Sequence, residues 1–129
     1  YMDEIQAQNL ARQLLDAGEL RFGTDEATFN RILCKESFSQ LKLIFRKYEE
    51  LNNGRGIRKT IKSEFSGDIK DALLAIVSCI QDRPKFFAKQ FNKAIKGCGT
   101  DDNKLIRLVV TRCELDLGNI QEAYYSKYS

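Results

Sequence analysis

A short glycine-containing segment occurs twice in this 129-residue chain, and its residue types suit the binding of a hard metal ion. Gly-Thr-Asp-Glu at positions 23–26 returns 76 positions later as Gly-Thr-Asp-Asp at 99–102. Because glycine has no Cβ, it permits backbone angles that turn carbonyl oxygens towards the inside of a loop. Several converging carbonyl oxygens favour Ca²⁺ over softer metals. The two segments therefore predict two candidate Ca²⁺-binding loops.

A carboxylate is needed to complete such a site, since Ca²⁺ takes about six to eight oxygen ligands. The segment 63–68 offers Glu64, which follows Thr24 by 40 positions. We expect two antiparallel helix pairs to bring this segment, as a link between helices, beside the first loop. A simpler interpretation stays open, because glycine often ends helices and Thr or Asp often begins them. Gly-Thr-Asp is thus also an ordinary connection between two helices.

Apolar residues at helical spacing surround both loops and predict an all-α fold. The repeat extends beyond the loops, because the segments 41–48 and 117–124 match at the same offset of 76 positions. Upstream of the loops the offset becomes 77, which places one extra residue in the first loop. The expected helices are near 4–16, near 25–35, from Phe38 to before Asn52, a short one containing Ile57 to Phe65, from Ile69 to Ile80, from about Pro84 through Ile95, and near 101–113 and 116–128.

Composition argues against several other classes of function. The formal net charge is +3 and arises from interleaved acids and bases, so nucleic-acid binding is not indicated. Four scattered cysteines and no histidine argue against zinc and fit a reducing compartment. No EF-hand loop occurs, and no nucleophile stands beside a plausible base. No apolar run is long enough to cross a bilayer.

The chain resembles the annexin family over essentially its whole length. Gly-Cys-Gly-Thr-Asp-Asp at 97–102 is similar to the annexin loop Gly-x-Gly-Thr-[Asp/Glu], and 18–26 resembles the longer variant found in the third annexin repeat. Positions 73–77 resemble the annexin fifth helix, and 113–117 a helix junction of the fourth repeat. The resemblance implies an annexin-type helical repeat, with a complete five-helix third repeat at 1–82 and three helices of the fourth at 83–129.

The resemblance implies Ca²⁺ as the cofactor and a set of ligands in the first loop. The carbonyl oxygens of Gly18, Arg21 and Gly23 and a bidentate Glu64 would bind the ion. These residues supply about five protein oxygens, which leaves room for water or a lipid phosphate.

For the second loop, the resemblance implies the carbonyl oxygens of Ile95, Gly97 and Gly99. The carboxylate of this second site would lie near position 139, which the chain does not contain. We therefore expect the second site to bind Ca²⁺ poorly in this chain.

The resemblance also implies binding to acidic phospholipid, with Phe22, Thr24 and Cys98 as the expected lipid contacts. Phe22 stands where the family often has an exposed tryptophan, so we expect its ring to enter the headgroup layer. The implied protein is cytoplasmic, peripheral on membranes when Ca²⁺ is present, and not an enzyme. A calcium-independent helical scaffold or protein-interaction module is the main alternative.

Two further expectations concern the incomplete second unit and a departure from the annexin pattern. Because the second unit has no fourth and fifth helices, the apolar faces of its helices at 84–96 and 101–113 should be exposed. We therefore expect further annexin repeats on both sides, and either self-association or marginal stability of the isolated chain. Lys-Glu-Ser at 35–37 replaces the usual Thr-Arg-Ser-like run, so the first unit lacks the arginine that the second has at Arg112.

Overall fold

The computed structural model describes residues 2–18, 23–96, 99–113 and 115–128, which form helices joined by short turns. No β-strand occurs within these ranges, and the predicted all-α fold is confirmed, as are five helices followed by three. Across the same ranges no helix is both long enough and apolar enough to cross a bilayer. The helices are α1 Glu4–Ala17, α2 Glu26–Lys35, α3 Phe38–Leu51, α4 Ile57–Glu64, α5 Gly67–Gln81, α6 Arg83–Ile95, α7 Asp102–Arg112 and α8 Leu117–Tyr128.

Most helix starts are encoded by the residue that precedes the helix. In each of these cases the side chain of the preceding residue accepts a hydrogen bond from a backbone N–H of the first turn, which stabilises a helix by about 1 kcal/mol. Pro84 lies in the first turn of α6, where its missing N–H removes no helical hydrogen bond. The capping residues are Asp3, Asp25, Ser37, Asp82 and Asp101.

The chain divides into two compact units, Tyr1–Ile80 and Gln81–Ser129. In the first unit, all five helices contribute apolar side chains to one core, and α1 packs along α3. Tyr48 and Thr60 are fully buried within this core, and their hydroxyl oxygens lie 2.6 Å apart. This hydrogen bond joins α3 to α4 and satisfies two polar groups that would be costly to bury alone.

The second unit, in which α6 packs against α8, leaves much of its apolar surface exposed. Val109 of α7 is 40% exposed, whereas its equivalent in the first unit, Leu33, is 4% exposed. Leu33 is covered because it shares a core with apolar residues of α4 and α5, such as Ile61 and Val77. Ile106 and other apolar residues of the helix expected at 101–113 are likewise exposed in this chain.

The end of the second helix differs between the two units. In the second unit, Arg112 donates two hydrogen bonds to the carboxylate of Asp116 at 2.9 and 2.8 Å. The guanidinium carbon of Arg112 also lies 4.3 Å from the centre of the Phe87 ring. These hydrogen bonds lower the pKa of Asp116 below its ordinary value, against the opposing effect of burial.

The first unit has Glu36 and Gln40 at the positions of this ion pair, as Lys-Glu-Ser at 35–37 indicated. Gln40 is buried and makes a different contact. Its side-chain oxygen accepts a hydrogen bond from the backbone N–H of Asp3 at 2.9 Å, and its side-chain nitrogen donates to the Asp3 carbonyl at 2.9 Å. An amide clamp on the chain before α1 therefore takes the place of the ion pair.

Candidate metal centre

The first glycine loop connects α1 to α2 and is closed by one backbone hydrogen bond. The N–H of Asp25 donates to the carbonyl of Ala17 at 2.8 Å, so the two helix ends meet below the loop. In the second unit, the N–H of Asp101 donates to the carbonyl of Ala94 at 2.7 Å. The first pair is separated by one residue more than the second, which agrees with the extra residue inferred from the change of offset.

Glycine is required in these loops for two different physical reasons. Gly23 and Gly99 have φ angles of +85° and +116°, in the region that residues with a side chain rarely adopt. Gly18 is instead confined by its neighbours. A Cβ atom on Gly18 would stand 3.2 Å from Cγ2 of Thr60 and 3.3 Å from Cζ of Phe29. The start of the loop therefore touches both α2 and α4.

Glu64 lies beside the other end of the loop. The hydroxyl of Thr24 donates a hydrogen bond to Oε2 of Glu64 at 2.9 Å, although 40 positions separate the two residues. Glu64 is the last residue of α4, so the expectation that it stands in the link between α4 and α5 was wrong by one residue. The next residue, Phe65, caps the helix with an extended backbone, and its side chain is buried in the core.

An aromatic contact fixes the end of α4 against α2. The rings of Phe29 and Phe65 meet edge to face, with their centres 5.1 Å apart. Both side chains are buried, and Phe65 directly follows Glu64. Since the backbone next to Glu64 is held by this packing, the direction in which its side chain leaves α4 is set by the core.

The charge around Glu64 leaves its carboxylate available to a cation. Within the described part of the chain, no lysine or arginine forms an ion pair with it. Over the same residues, no group of three His, Cys, Asp or Glu side chains is placed to hold a metal ion. An ion here would therefore depend on main-chain oxygens together with one carboxylate. This donor set of oxygens alone fits Ca²⁺.

The structure covers only part of the ligand sets that the sequence implied. For the first site it describes Gly18, Gly23 and Glu64, and it places Gly18 against Thr60 of α4, the helix whose last residue is Glu64. Arg21 and the expected lipid contact Phe22 lie outside the described residues.

In the second unit, the position that matches Glu64 would follow residue 129. Ile95 is the last residue of α6 and is exposed, and Gly99 has the same left-handed backbone as Gly23. Gly97 and the expected lipid contact Cys98 lie outside the described residues.

Sequence reasoning missed the partner of the Thr24 hydroxyl, which had been expected to contact lipid. A signal was present, because a threonine follows the glycine of the first loop and Glu64 lies 40 positions downstream of it. The supporting contacts Tyr48 with Thr60 and Phe29 with Phe65 were also missed, because the periodic pattern identifies buried positions but not which of them touch.

Comparison with known proteins gives consistent matches. A family model described as Annexin matches residues 10–76 and 86–129. Annexin A13 of Mus musculus is 46% identical over 127 residues, which cover 98% of this chain and 40% of that protein. Two solved structures are also similar. Annexin III has a TM-score of 0.94 at 44% identity over 99% of this chain and 39% of its own. A calcium-bound annexin (Sm)1 has a TM-score of 0.87 at 31% identity over 98% of this chain and 34% of its own.

The matches cover nearly all of this chain but a minor part of each relative. The chain spans 40% of the length of Annexin A13 and 19% of the length of Annexin A6, both of Mus musculus.

Proposed function

The chain belongs to the annexin family, and from that premise we propose that its first repeat binds Ca²⁺ and uses the ion to attach to acidic phospholipid. The expected annexin resemblance and the annexin-type helical fold are confirmed. Annexins as a family bind Ca²⁺ and phospholipid. The assignment to the third and fourth repeats, and the repeat boundaries 1–82 and 83–129, stay predictions.

The proposed ligands of the first site are the carbonyl oxygens of Gly18, Arg21 and Gly23 and both oxygens of Glu64. The hydrogen bond of 2.9 Å between Thr24 and Glu64 is the single observation that carries this proposal. It brings the carboxylate to the end of the loop whose backbone oxygens would complete the coordination. The left-handed backbone of Gly23 and the close contact of Gly18 with α4 support the same arrangement.

Five protein oxygens leave one to three positions of a Ca²⁺ ion open, since the ion takes about six to eight. A lipid phosphate oxygen is a suitable ligand for an open position, and the ion then joins protein to membrane. A site with a single carboxylate has low intrinsic affinity, towards the about 10⁻⁴–10⁻³ M end of protein Ca²⁺ sites. Lipid and Ca²⁺ then strengthen each other's binding by the same factor, because linkage is reciprocal.

The lipid-facing residues of this proposal are Phe22, Thr24 and Cys98. The net charge of +3 adds a weak general attraction to anionic membranes. We assign the second loop, with Ile95, Gly97 and Gly99, a minor role in Ca²⁺ binding by residues 1–129, because the carboxylate expected near position 139 lies outside them. The proposed location is the cytoplasmic face of membranes, and the proposed neighbours are further annexin repeats. A binding role also fits the family, which is not generally enzymatic.

The alternative is a calcium-independent helical scaffold or interaction module. One observation favours it, because the hydrogen bond between Thr24 and Glu64 also closes the loop without any ion. Under this alternative, Glu64 only closes the loop through its hydrogen bond with Thr24, and its charge binds no ligand.

Co-sedimentation with phosphatidylserine liposomes, with and without Ca²⁺, distinguishes the two functions. The variant Glu64→Gln keeps the shape and the hydrogen-bond acceptor of the side chain but removes its charge. We expect it to abolish Ca²⁺-dependent sedimentation, while the matched variant Glu122→Gln, an exposed glutamate of α8, sediments like the original chain. Sedimentation that is the same with and without Ca²⁺ in the original chain and in both variants would support the scaffold instead.

A further inference from the structure

The hydroxyl of Thr24 has a specific partner in the first loop. It donates to Oε2 of Glu64 at 2.9 Å, and Thr24 is half-buried while Glu64 is exposed. At the equivalent position of the second loop, Thr100 is exposed and makes no side-chain hydrogen bond within the described residues. Among the described residues, the threonine side chain therefore has a hydrogen-bond partner only in the first loop, where Glu64 lies beside it.

Glu64 needs such a partner because its position otherwise leaves it free to move. It is the last residue of α4, its side chain is exposed, and no ion pair holds it among the described residues. A glutamate loses much rotamer freedom when its carboxylate is fixed. The packing of Phe65 against Phe29 fixes the backbone beside Glu64 but not the side-chain torsions.

We propose that Thr24 is a positioning residue, whose hydroxyl holds the Glu64 carboxylate over the loop before Ca²⁺ arrives. This inference rests on the proposed function, because it concerns the same ion. A carboxylate oxygen has two lone pairs, so Oε2 accepts the hydrogen bond from the hydroxyl with one lone pair and still has the other to face an ion. Orientation of a metal ligand by a hydrogen-bonding neighbour increases affinity, because less side-chain freedom is lost on binding.

The test uses three variants of the full chain and calorimetric titration with Ca²⁺. Thr24→Val removes the hydroxyl and keeps the shape, whereas Thr24→Ser keeps the hydroxyl. Thr100→Val makes the same change as Thr24→Val, but in the second loop. We expect Thr24→Val to raise the Ca²⁺ dissociation constant by about three- to tenfold. This is less than the about 10- to 100-fold typical of hydrogen-bond partners of metal ligands, because both residues are accessible to water. Thr24→Ser and Thr100→Val should bind like the original chain.

Three readouts separate positioning from a general loss of structure. In the Ca²⁺-free protein, the side-chain three-bond couplings of Glu64 should indicate one dominant rotamer in the original chain and averaging in Thr24→Val. The midpoint of thermal unfolding without Ca²⁺ should stay nearly unchanged, because the contact is at the surface. In the background of Glu64→Gln, Thr24→Val should have no further effect on Ca²⁺ binding.

Three results would overturn the inference while leaving the proposed function intact. The first is Glu64-dependent Ca²⁺ binding of equal affinity in the original chain and in Thr24→Val. The second is tighter Ca²⁺ binding in Thr24→Val. The third is a loss of Ca²⁺ affinity that is equal in Thr24→Val and Thr24→Ser. If the original chain binds no Ca²⁺ at all, the proposed function fails and the inference fails with it.

Discussion

Gly18, at the start of the first loop, faces Thr60 of α4 so closely that a Cβ atom would stand 3.2 Å from Cγ2 of the threonine. Thr60 cannot easily move away, because its hydroxyl oxygen lies 2.6 Å from that of the buried Tyr48. The Phe29 ring, the second neighbour of Gly18, is held by its contact with Phe65. The loop and the helix that ends at Glu64 are thus joined through tightly packed side chains.

This packing predicts that Gly18→Ala destabilises the first unit. A smaller unfolded-state entropy would favour alanine by about 0.4–1 kcal/mol, but overpacking costs about 1–3 kcal/mol. Because Thr60 and Phe29 are both fixed, we expect a net loss of about 1–2 kcal/mol, measured by urea unfolding, together with weaker Ca²⁺ binding.

Gly118→Ala serves as its control. The space around Gly118 in α8 is open, and alanine favours helices over glycine by about 0.5–1 kcal/mol. Equal or higher stability of Gly18→Ala would show that the loop and α4 are not tightly packed.

The ion pair of the second unit predicts a dependence of stability on pH. Hydrogen bonds from Arg112 hold the pKa of Asp116 below its ordinary value of 3.8. The pair therefore stabilises the unit above the unfolded-state pKa of about 3.9 and loses this effect as the pH falls through the folded pKa. The side chains of Arg112 and Asp116 are 14% and 12% exposed, so this ion pair is intermediate between a surface pair and a fully buried pair. We thus expect Asp116→Asn to cost about 1–2 kcal/mol at pH 7.

Unfolding of Asp116→Asn and of the original chain should be measured between pH 7 and pH 2. The difference between them should shrink as the pH falls, because the original chain loses its ion pair. Asp71→Asn, at an exposed position of α5, should follow the original chain throughout. A difference that is constant with pH would show that Asp116 contributes through packing and not through charge.

The incomplete second loop predicts unequal Ca²⁺ binding. The carbonyls of Ile95, Gly97 and Gly99 lack a carboxylate partner in this chain, so the loop should bind Ca²⁺ much more weakly than the first. Isothermal titration should be described by one site per chain in the concentration range that saturates it. Two sites of equal affinity would contradict the requirement for a residue equivalent to Glu64.

The sequence predicts that the Phe22 ring enters the headgroup layer of the membrane. Phe22→Ala removes most of this apolar side chain and its contact with lipid. We therefore expect the variant to weaken Ca²⁺-dependent liposome binding about fivefold or more. Ca²⁺ affinity without lipid should not change. Ile5→Ala, which removes an exposed apolar residue of α1, is the control and should bind liposomes normally. Unchanged liposome binding by Phe22→Ala would exclude insertion.

The fold was predictable from the sequence because its helices follow local rules. Apolar spacing located all eight helices, and caps such as Asp25 and Asp101 fixed their starts within one or two residues. The end of α4 at Glu64 lies one residue before the expected bound, because the extended backbone of Phe65 takes its side chain into the core.

Specific contacts were less predictable, because they depend on residues far apart in the sequence. The hydrogen bonds between Gln40 and Asp3 join positions that are 37 residues apart. The hydrogen bond between Thr24 and Glu64 joins positions that are 40 residues apart. Periodicity places the helices that carry such residues but not the torsion angles of their side chains. The approach of Glu64 to the first loop was foreseen from helix pairing, whereas its hydrogen-bond donor was not.

The central claim is that main-chain oxygens of the first loop and the side chain of Glu64 meet around one Ca²⁺ ion. A crystal structure of this chain grown with millimolar Ca²⁺ tests it most directly. The account predicts an ion within about 2.3–2.6 Å of both carboxylate oxygens of Glu64 and of the carbonyl oxygens of Gly18 and Gly23. A structure with Ca²⁺ bound elsewhere, or with Glu64 turned away from an ion-free loop, would contradict it.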